Sequence, residues 1–454
     1  MKTQNVSNEN GLVKELLELA EKNISINPEN YEKHNVKRGL RNSDGTGVLV
    51  GLTVIGDVQS YIKEGDKKID IPGELFYRGI NVRDIVNGCI AEKRFGFEEV
   101  IYLLLFGVLP TEQKIEQFSK YLSGYRNLPE YFVEDMILKA PSPDIMNKLA
   151  RSVLALYSYD DDPDNLSLEN LLRQSFELIS CFPAIIAYAY HTKNHYYDGE
   201  SLFLHTSKPE LSIAENFLRL IRADKSYTRQ EAEILDLCLI LHAEHGGGNN
   251  STFTTHVISS TGTDTYSAIS ASIGSLKGSK HGGANNRVMA MMDEIKSNVK
   301  DWADKDEVAA YITKIINKQA GDKTGLIYGF GHAVYTISDP RTELLKTHAQ
   351  KLAQQKGRTA EFELYSLIEQ ITPKLFAEIK KQNKPLPANV DFYSGFVYNL
   401  LGIPQELYTP IFAMARIAGW CAHRIEEVIS NNRILRPAYR SVADTREYIK
   451  LSNR

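Results

Sequence analysis

The chain has 454 residues, enough to bury a large core and to form two or three domains. Its 57 acidic side chains outnumber its 53 basic ones, so the net charge is −4 and the basic face of a nucleic-acid-binding protein is not expected. The four cysteines lie far apart, mostly in apolar stretches, with neither a disulfide framework nor zinc-ligand spacing, and they indicate a reducing, cytoplasmic location.

The predicted elements begin with an N-terminal arm over residues 1–45, which is polar and lacks the apolar core of a secretory signal. Between Val48 and Ile80, short β-branched and aromatic runs alternate with turns and predict a small sheet. Helical periodicity dominates from about residue 90 onward. The longest apolar runs, Val100–Leu109 and Ile179–Tyr190, fall short of the ~20 residues that span a bilayer. We therefore expect a mainly α protein with buried helices and no membrane partner.

A predicted helix leads to the first histidines of interest. Thr228 and Glu231 form a capping-box pattern, and the apolar periodicity that follows stops at Gly246–Gly248. This spacing places His242 and His245 on one face of the last helical turn. The two imidazoles could both reach a cation, but no acidic or cysteine side chain completes a recognisable ligand set. We therefore predict no metal here.

Two more histidines lie beside glycines. His281 precedes Gly282-Gly283 and a helix-forming run, so the positive end of a helix dipole should disfavour its protonation. A histidine held neutral can donate a hydrogen bond to a developing enolate oxygen, although it could equally be a loop residue that caps the helix. His332 lies in GFGHAV, where the glycines allow backbone amides to approach a ligand closely.

An aspartate opens a later predicted helix. Asp391 precedes the run FYSGFVYNLLG, which Gly402 closes. An aspartate at a helix start is often an N-cap. In a partly dry pocket, with a substrate carbon within reach, the same carboxylate could act as a general base.

Three arginines stand in distinct settings. Arg341 follows a loop, Arg416 lies in the apolar helix that Thr409-Pro410 is expected to start, and Arg436 is near the C-terminus. An arginine in an apolar helical stripe needs an anionic partner. Converging guanidinium groups hold small di- and tricarboxylates, whereas the alternative for each is a salt bridge within the protein.

Taken in chain order, six motifs resemble those of the citrate synthase family: HAEHGGGNNST, KHGGAN, GFGHAVYTISDPR, NVDFYSG, FAMARIAGW and RILRP. The resemblance runs from about Gly51 to about Arg440. It implies a mostly helical homodimer and an acyltransferase of the tricarboxylic acid cycle, which condenses acetyl-CoA with oxaloacetate and hydrolyses the citryl thioester. It also implies a large domain of residues 46–282 and 403–454 and a small domain of residues 283–402.

The resemblance assigns roles by position. His281 would polarise the acetyl-CoA carbonyl, Asp391 would remove the methyl proton, and His332 would donate a hydrogen bond to the oxaloacetate ketone. The substrate-binding residues would be His242, His245, Arg341, Arg416 and, from the partner subunit, Arg436. The residues along CoA would be Gly329, Phe330, Gly331 and Asn389. Acetyl-CoA is then a co-substrate, with no permanently bound cofactor and no metal.

The sequence departs from many relatives at Ser279, Asn286 and Thr336. The last of these stands where some relatives place an arginine that grips a CoA phosphate. Two alternative functions stay open. One is 2-methylcitrate synthase, since one extra methylene on the acyl group is worth only about 1–3 kcal/mol in discrimination. The other is a non-catalytic relative that binds CoA or carboxylates.

Overall fold

The computed structural model describes residues 10–42, 44–64, 67–381, 385–430 and 433–454. Its described residues up to Gly51, together with Arg436–Arg454, form one compact unit, and Leu52–Leu435 form the other. In the predicted N-terminal arm, residues 1–9 and 43 lie outside the description, and the remainder carries two exposed helices. The domain boundaries given above stay a prediction.

The early sheet is confirmed. Strand β1 (Gly56–Glu64) pairs antiparallel with β2 (Lys67–Tyr77), and β2 pairs antiparallel with β3 (Ile80–Asn81). Alternate residues at the end of β2 are buried, and the Tyr77 hydroxyl lies 2.8 Å from the carbonyl oxygen of Ile240 and 3.2 Å from that of Glu244. The sheet thereby fixes the helix end that carries the first histidines.

Helices make up most of the rest, and the mainly α prediction is confirmed. The α-helices among the described residues are α1 (Asn10–Ile24), α2 (Glu29–Lys33), α3 (Val82–Ala91), α4 (Phe97–Phe106), α5 (Glu112–Ser123), α6 (Ile145–Leu156), α7 (Leu168–Lys193), α8 (Ile213–Ile221), α9 (Arg229–His242), α10 (Asn250–Ser259), α11 (Thr265–Lys277), α12 (Ala284–Asn298), α13 (Lys305–Ile316), α14 (Pro340–Gln355), α15 (Thr359–Lys380), α16 (Val390–Leu400) and α17 (Tyr408–Ser430). Short 3₁₀ turns cover Arg38–Leu40, Tyr157–Tyr159, Gln405–Leu407 and Leu451–Asn453, and π turns cover Val133–Leu138 and Asn194–Asp198.

Helix α17 is the centre of the core. Every residue from Tyr408 to Ile425 is buried, and the helix packs against α4, α7, α9, α10 and α11. Its polar members Arg416, His423 and Arg424 are therefore removed from water and depend on partners inside the protein or on a ligand. Helices α12–α16 pack on one another, with α14 and α12 against α16 and α13 against α15.

The capping box of α9 is confirmed, with Thr228 and Glu231 each bonded to the other's backbone amide. The end of α9 was predicted wrongly, because the helix stops at His242 and leaves His245 in the following irregular segment. The Glu244 carboxylate accepts a hydrogen bond from the Gly246 amide at 2.5 Å and stabilises the non-helical path.

The start of α17 was also predicted wrongly. The helix begins at Tyr408, directly after a 3₁₀ turn, so Thr409 lies inside it and is not its N-cap. The Thr409 hydroxyl donates instead to the Gly282 carbonyl at 3.0 Å. Its side chain therefore tethers the segment that carries His281.

The predicted fate of the apolar runs and cysteines is confirmed. Most of Val100–Leu109 lies in α4 and the other run in α7, and all four cysteines are buried as free thiols. Within the described ranges, no helix combines the length and the apolarity needed to cross a bilayer.

Candidate active site

The segment from His242 to Gly246 carries two buried histidines. The His242 ring packs edge-on against Phe412, with ring centroids 4.3 Å apart. The His245 ring is edge-on to both His332 and Tyr335, at 5.1 and 5.4 Å. Burial, followed by the positive charge of Arg341, lowers the pKa of both histidines well below the ordinary value. Both imidazoles are therefore neutral at physiological pH.

His281 lies in the turn that precedes α12, as predicted. Its Nε2 accepts a hydrogen bond from the Ser251 amide at 3.4 Å and lies 3.2 Å from the Ser251 hydroxyl. It thus satisfies an amide in the first turn of α10 and does not cap α12, whose N-cap is Gly283. Burial and then Arg416 lower the pKa of His281 to about 4. Since Nε2 is an acceptor, the neutral ring carries its proton on Nδ1.

His332 has the opposite tautomer. Its Nδ1 accepts hydrogen bonds from the amides of Val334 and Tyr335, at 3.0 and 3.1 Å. The ring stacks on the Tyr335 ring, with centroids 4.8 Å apart. With Nδ1 engaged as an acceptor, the neutral imidazole holds its proton on Nε2 and can donate it to a ligand.

Asp391 lies in the first turn of α16. The N-cap is Asn389, whose side chain accepts a hydrogen bond from the Asp391 amide at 3.1 Å, so the capping role considered for Asp391 is wrong. Burial raises the pKa of Asp391 to about 6, against the opposing positive charges of Arg341 and Arg416. A carboxylate with this pKa is ionised at neutral pH and remains basic enough to take a proton.

The glycine-flanked loop before His332 packs directly on the start of α16. Gly329 and Gly331 have φ values of +81° and +80°, and a Cβ on Gly329 would lie 2.8 Å from the Phe392 ring. The Asn389 amide donates to the Gly329 carbonyl at 2.8 Å, and the Asn389 side chain donates to the Gly331 carbonyl at 2.9 Å. Two hydrogen bonds from Asn389 thus join this loop to the start of α16.

Arg341 is buried and paired. Its Nε and Nη2 donate to the two Asp339 oxygens at 3.0 and 2.7 Å, which is the salt bridge considered as its alternative role. Asp339 caps α14 and also accepts a hydrogen bond from the Val390 amide at 3.2 Å. This aspartate therefore links the starts of α14 and α16, and with them Arg341 and Asp391.

Arg416 is fully buried and differs from Arg341 in its partners. Its Nε donates to the His242 carbonyl at 2.7 Å, and its two terminal nitrogens have no hydrogen-bond partner among the described residues. Burial lowers its pKa to about 10, so the guanidinium stays charged at neutral pH. Two unsatisfied donor nitrogens on a buried cation are an arrangement that an anionic ligand would satisfy.

Electrostatic interactions show which candidate residues come together. Besides Arg341, electrostatic interactions with His332, Arg416 and His281 also lower the pKa of His245. Arg341 and Arg416 act on Asp391 as well. The exposed Arg436 belongs to the other compact unit, and its role stays a prediction.

Sequence reasoning missed several residues that support the site. Asp339 could have been found, because an Asp-Pro pair is a helix-start signal. Ser251, in the first turn of α10, contacts His281. The Glu244 carboxylate lies 3.0 Å from Nε2 of His423 in α17. No local pattern connects positions so far apart in the chain.

Comparison with known proteins places this geometry in a family. The family profile described as "Citrate synthase, C-terminal domain" matches residues 44–438. A citrate synthase of Deinococcus radiodurans is 36% identical over 79% of this chain and 88% of its own length. A 2-methylcitrate synthase of Shewanella oneidensis is 32% identical over 84% of this chain and 92% of its own length.

A solved structure agrees with these sequences. It is the ternary complex of carboxymethyl coenzyme A and oxaloacetate with citrate synthase from Thermoplasma acidophilum, which is similar to this chain with a TM-score of 0.75 and 27% identity. The match covers 92% of this chain and 99% of the other.

Proposed function

Since the chain belongs to the citrate synthase family, we propose that it condenses acetyl-CoA with oxaloacetate and hydrolyses the citryl thioester to citrate and CoA. It is a condensing acyltransferase, which converts the acyl group to an alkyl group on transfer. The observation that carries the proposal is the fully buried guanidinium of Arg416, whose two terminal nitrogens have no partner among the described residues. A carboxylate of a small dianion such as oxaloacetate would satisfy both donors.

Deprotonation of the acetyl group is assigned to Asp391 and His281. The Asp391 carboxylate takes a methyl proton, and the electrons of that C–H bond move toward the thioester oxygen. The neutral His281 donates its Nδ1 proton as a hydrogen bond to this oxygen and stabilises the developing enolate. The pKa values of about 6 and about 4 support these two roles, because one group is an ionised base and the other is uncharged at neutral pH.

Carbon–carbon bond formation is assigned to His332 and the arginines. The enolate carbon attacks the ketone carbon of oxaloacetate, and the Nε2–H of His332 stabilises the oxygen that becomes negative. This oxygen gains a proton to become the hydroxyl of citryl-CoA, which balances the methyl proton that Asp391 removes. Arg341, Arg416 and the neutral His242 and His245 hold the two carboxylates of oxaloacetate in place. Water then hydrolyses the thioester, and CoA leaves as the thiol.

The proposal extends to residues outside this cluster. Arg436 acts on oxaloacetate from the partner subunit of a homodimer, and Gly329, Phe330, Gly331 and Asn389 line the CoA path. We also propose that the enzyme works in the cytoplasm, within the tricarboxylic acid cycle, and without a metal or permanently bound cofactor.

Thiol release tests the proposed reaction. The purified enzyme is mixed with oxaloacetate and either acetyl-CoA or propionyl-CoA, and the free thiol of CoA is followed with a chromogenic disulfide. We expect rapid release with acetyl-CoA that requires oxaloacetate. A higher kcat/KM with propionyl-CoA would favour 2-methylcitrate synthase, the name of the Shewanella relative. Release that is absent with both thioesters would contradict the proposed reaction.

A further inference from the structure

Behind the substrate-binding segment lies a buried chain of two carboxylates and two imidazoles, the Glu244–Glu427 chain. Glu244 Oε1 lies 3.0 Å from His423 Nε2, and His423 Nδ1 lies 3.0 Å from His256 Nε2. His256 Nδ1 then lies 2.7 Å from Glu427 Oε2. All four side chains are buried, and none of them has a role in the proposed reaction.

The protons in this chain can be assigned. Burial alone would lower the pKa of His423, but Glu244, and after it Glu426, raise the pKa to about 9. Burial, and then the neighbouring His423, lower the pKa of His256. His423 is therefore the cation and donates from both ring nitrogens, while His256 accepts on Nε2 and donates from Nδ1 to Glu427.

His423 fixes the charge and the position of Glu244. Burial opposes ionisation of Glu244, yet His423 and then Arg416 outweigh it and lower its pKa. The carboxylate occupies a slot between two glycines, since a Cβ on Gly419 would lie 2.4 Å from Glu244 Oε2 and one on Gly56 2.7 Å from Oε1. The two glycines therefore leave the space that the Glu244 carboxylate occupies.

Glu244 connects this chain to the site in two ways. Its backbone belongs to the segment that carries His242 and His245, and its Oε1 accepts the Gly246 amide. Its negative charge also supports the charged form of Arg416. While His423 binds Glu244, the terminal nitrogens of Arg416 remain available.

We propose that His423 is a positioning residue for oxaloacetate, acting through Glu244 on the His242–Gly246 segment and on Arg416. The charged or titratable groups around it are Glu244, Glu426, His256 and, beyond these, Glu427 and Arg416. This inference rests on the proposed function. It predicts that His423 governs binding of oxaloacetate and leaves binding of acetyl-CoA unchanged.

The test compares His423→Gln with the parent enzyme. Glutamine keeps a neutral donor near Glu244 but cannot carry the charge. We expect Kd and KM for oxaloacetate to rise about 10–100-fold at pH 8, with KM for acetyl-CoA within about twofold. In the parent, oxaloacetate binding should begin to weaken as pH rises through about 9, whereas in the variant it should weaken only at higher pH, where Arg416, with its pKa of about 10, loses its proton.

Two further variants separate positioning from general destabilisation. His191→Gln is the matched control, because His191 is a buried histidine that bonds the Leu220 carbonyl, away from the site residues. It should leave both KM values unchanged. Glu244→Gln should reproduce the loss of oxaloacetate binding even if His423→Gln fails to fold. Unchanged oxaloacetate binding in Glu244→Gln, or an equal rise in both KM values, would overturn the inference.

Two measurements complete the test. Parent thiol release is recorded first, so failure of the proposed function is seen before any variant is compared. Elemental analysis of the purified parent is also needed, because ligand atoms of His256, His423 and Glu426 lie close enough together to hold a divalent ion. A stoichiometric metal would replace the proton between the imidazoles and overturn the inference, whereas a metal-free active enzyme supports it.

Discussion

Replacement of Asp391 by asparagine should stabilise the protein while it abolishes most of the activity. The pKa of Asp391 rises from 3.8 to about 6, mainly through burial. A shift of about two units corresponds to about 3 kcal/mol of cost for the ionised form at pH 8, and the partial solvent access of this side chain reduces the effect to about 1–3 kcal/mol. Asparagine has a similar shape and no charge, so it removes this cost. Without the base, kcat should fall about 10²–10⁴-fold while oxaloacetate still binds.

The sign of the pH dependence makes the prediction specific. Because the pKa is raised in the folded state, the carboxyl group does not lower the free energy of unfolding below pH 3.8. It lowers this free energy by its full amount above pH 6. Urea unfolding followed by circular dichroism at pH 8, 6 and 4 should therefore show the variant more stable at pH 8 and equal to the parent at pH 4. The exposed Asp161→Asn serves as the control and should change neither stability nor kcat. A variant that is no more stable than the parent at pH 8, or that retains near-normal turnover, would refute the reasoning.

Three further predictions concern metal, closure and the subunit interface. Activity should survive exhaustive chelation, because the His242 and His245 pair has no completing ligand set; loss that one divalent ion restores would contradict this. Oxaloacetate should draw the predicted small domain over the large one, and small-angle scattering without compaction on adding it would count against closure. Mixing inactive Asp391→Asn and Arg436→Ala chains should restore part of the activity, since a heterodimer then holds one site with neither lesion. If heterodimers form and remain inactive, Arg436 serves its own subunit.

Local sequence signals predicted the elements that depend on near neighbours. The capping box at Thr228 and Glu231 marks the start of α9, because both of its hydrogen bonds lie within one helical turn. The end of α9 depends instead on Glu244, whose partners come from the sheet and from α17. The sequence pattern alone therefore predicted that α9 extends to His245, beyond its actual end at His242.

In the candidate site, too, local signals predicted the residues but not the long-range contacts that set their chemistry. Glycine-flanked motifs identified His281 and His332, but their tautomers depend on which amides they face. The Ser251 amide that fixes His281 is separated from it by 30 positions, and His256 and His423 by 167. Long-range partners of this kind leave no periodicity in the sequence, so the Glu244–Glu427 chain became visible only in the fold.

The hydrogen bond between Trp420 and Ser251 gives this protein a built-in optical probe. The buried indole donates to the Ser251 hydroxyl at 3.1 Å, and that hydroxyl lies 3.2 Å from His281 Nε2. The other tryptophan of the chain, Trp302, bonds the Lys296 carbonyl. A Trp302→Phe variant would carry a single tryptophan, one hydroxyl away from the histidine assigned to the enolate. Its emission should change when His281 is protonated near pH 4 or when a thioester arrives, so ligand occupancy could be followed in stopped flow without a label.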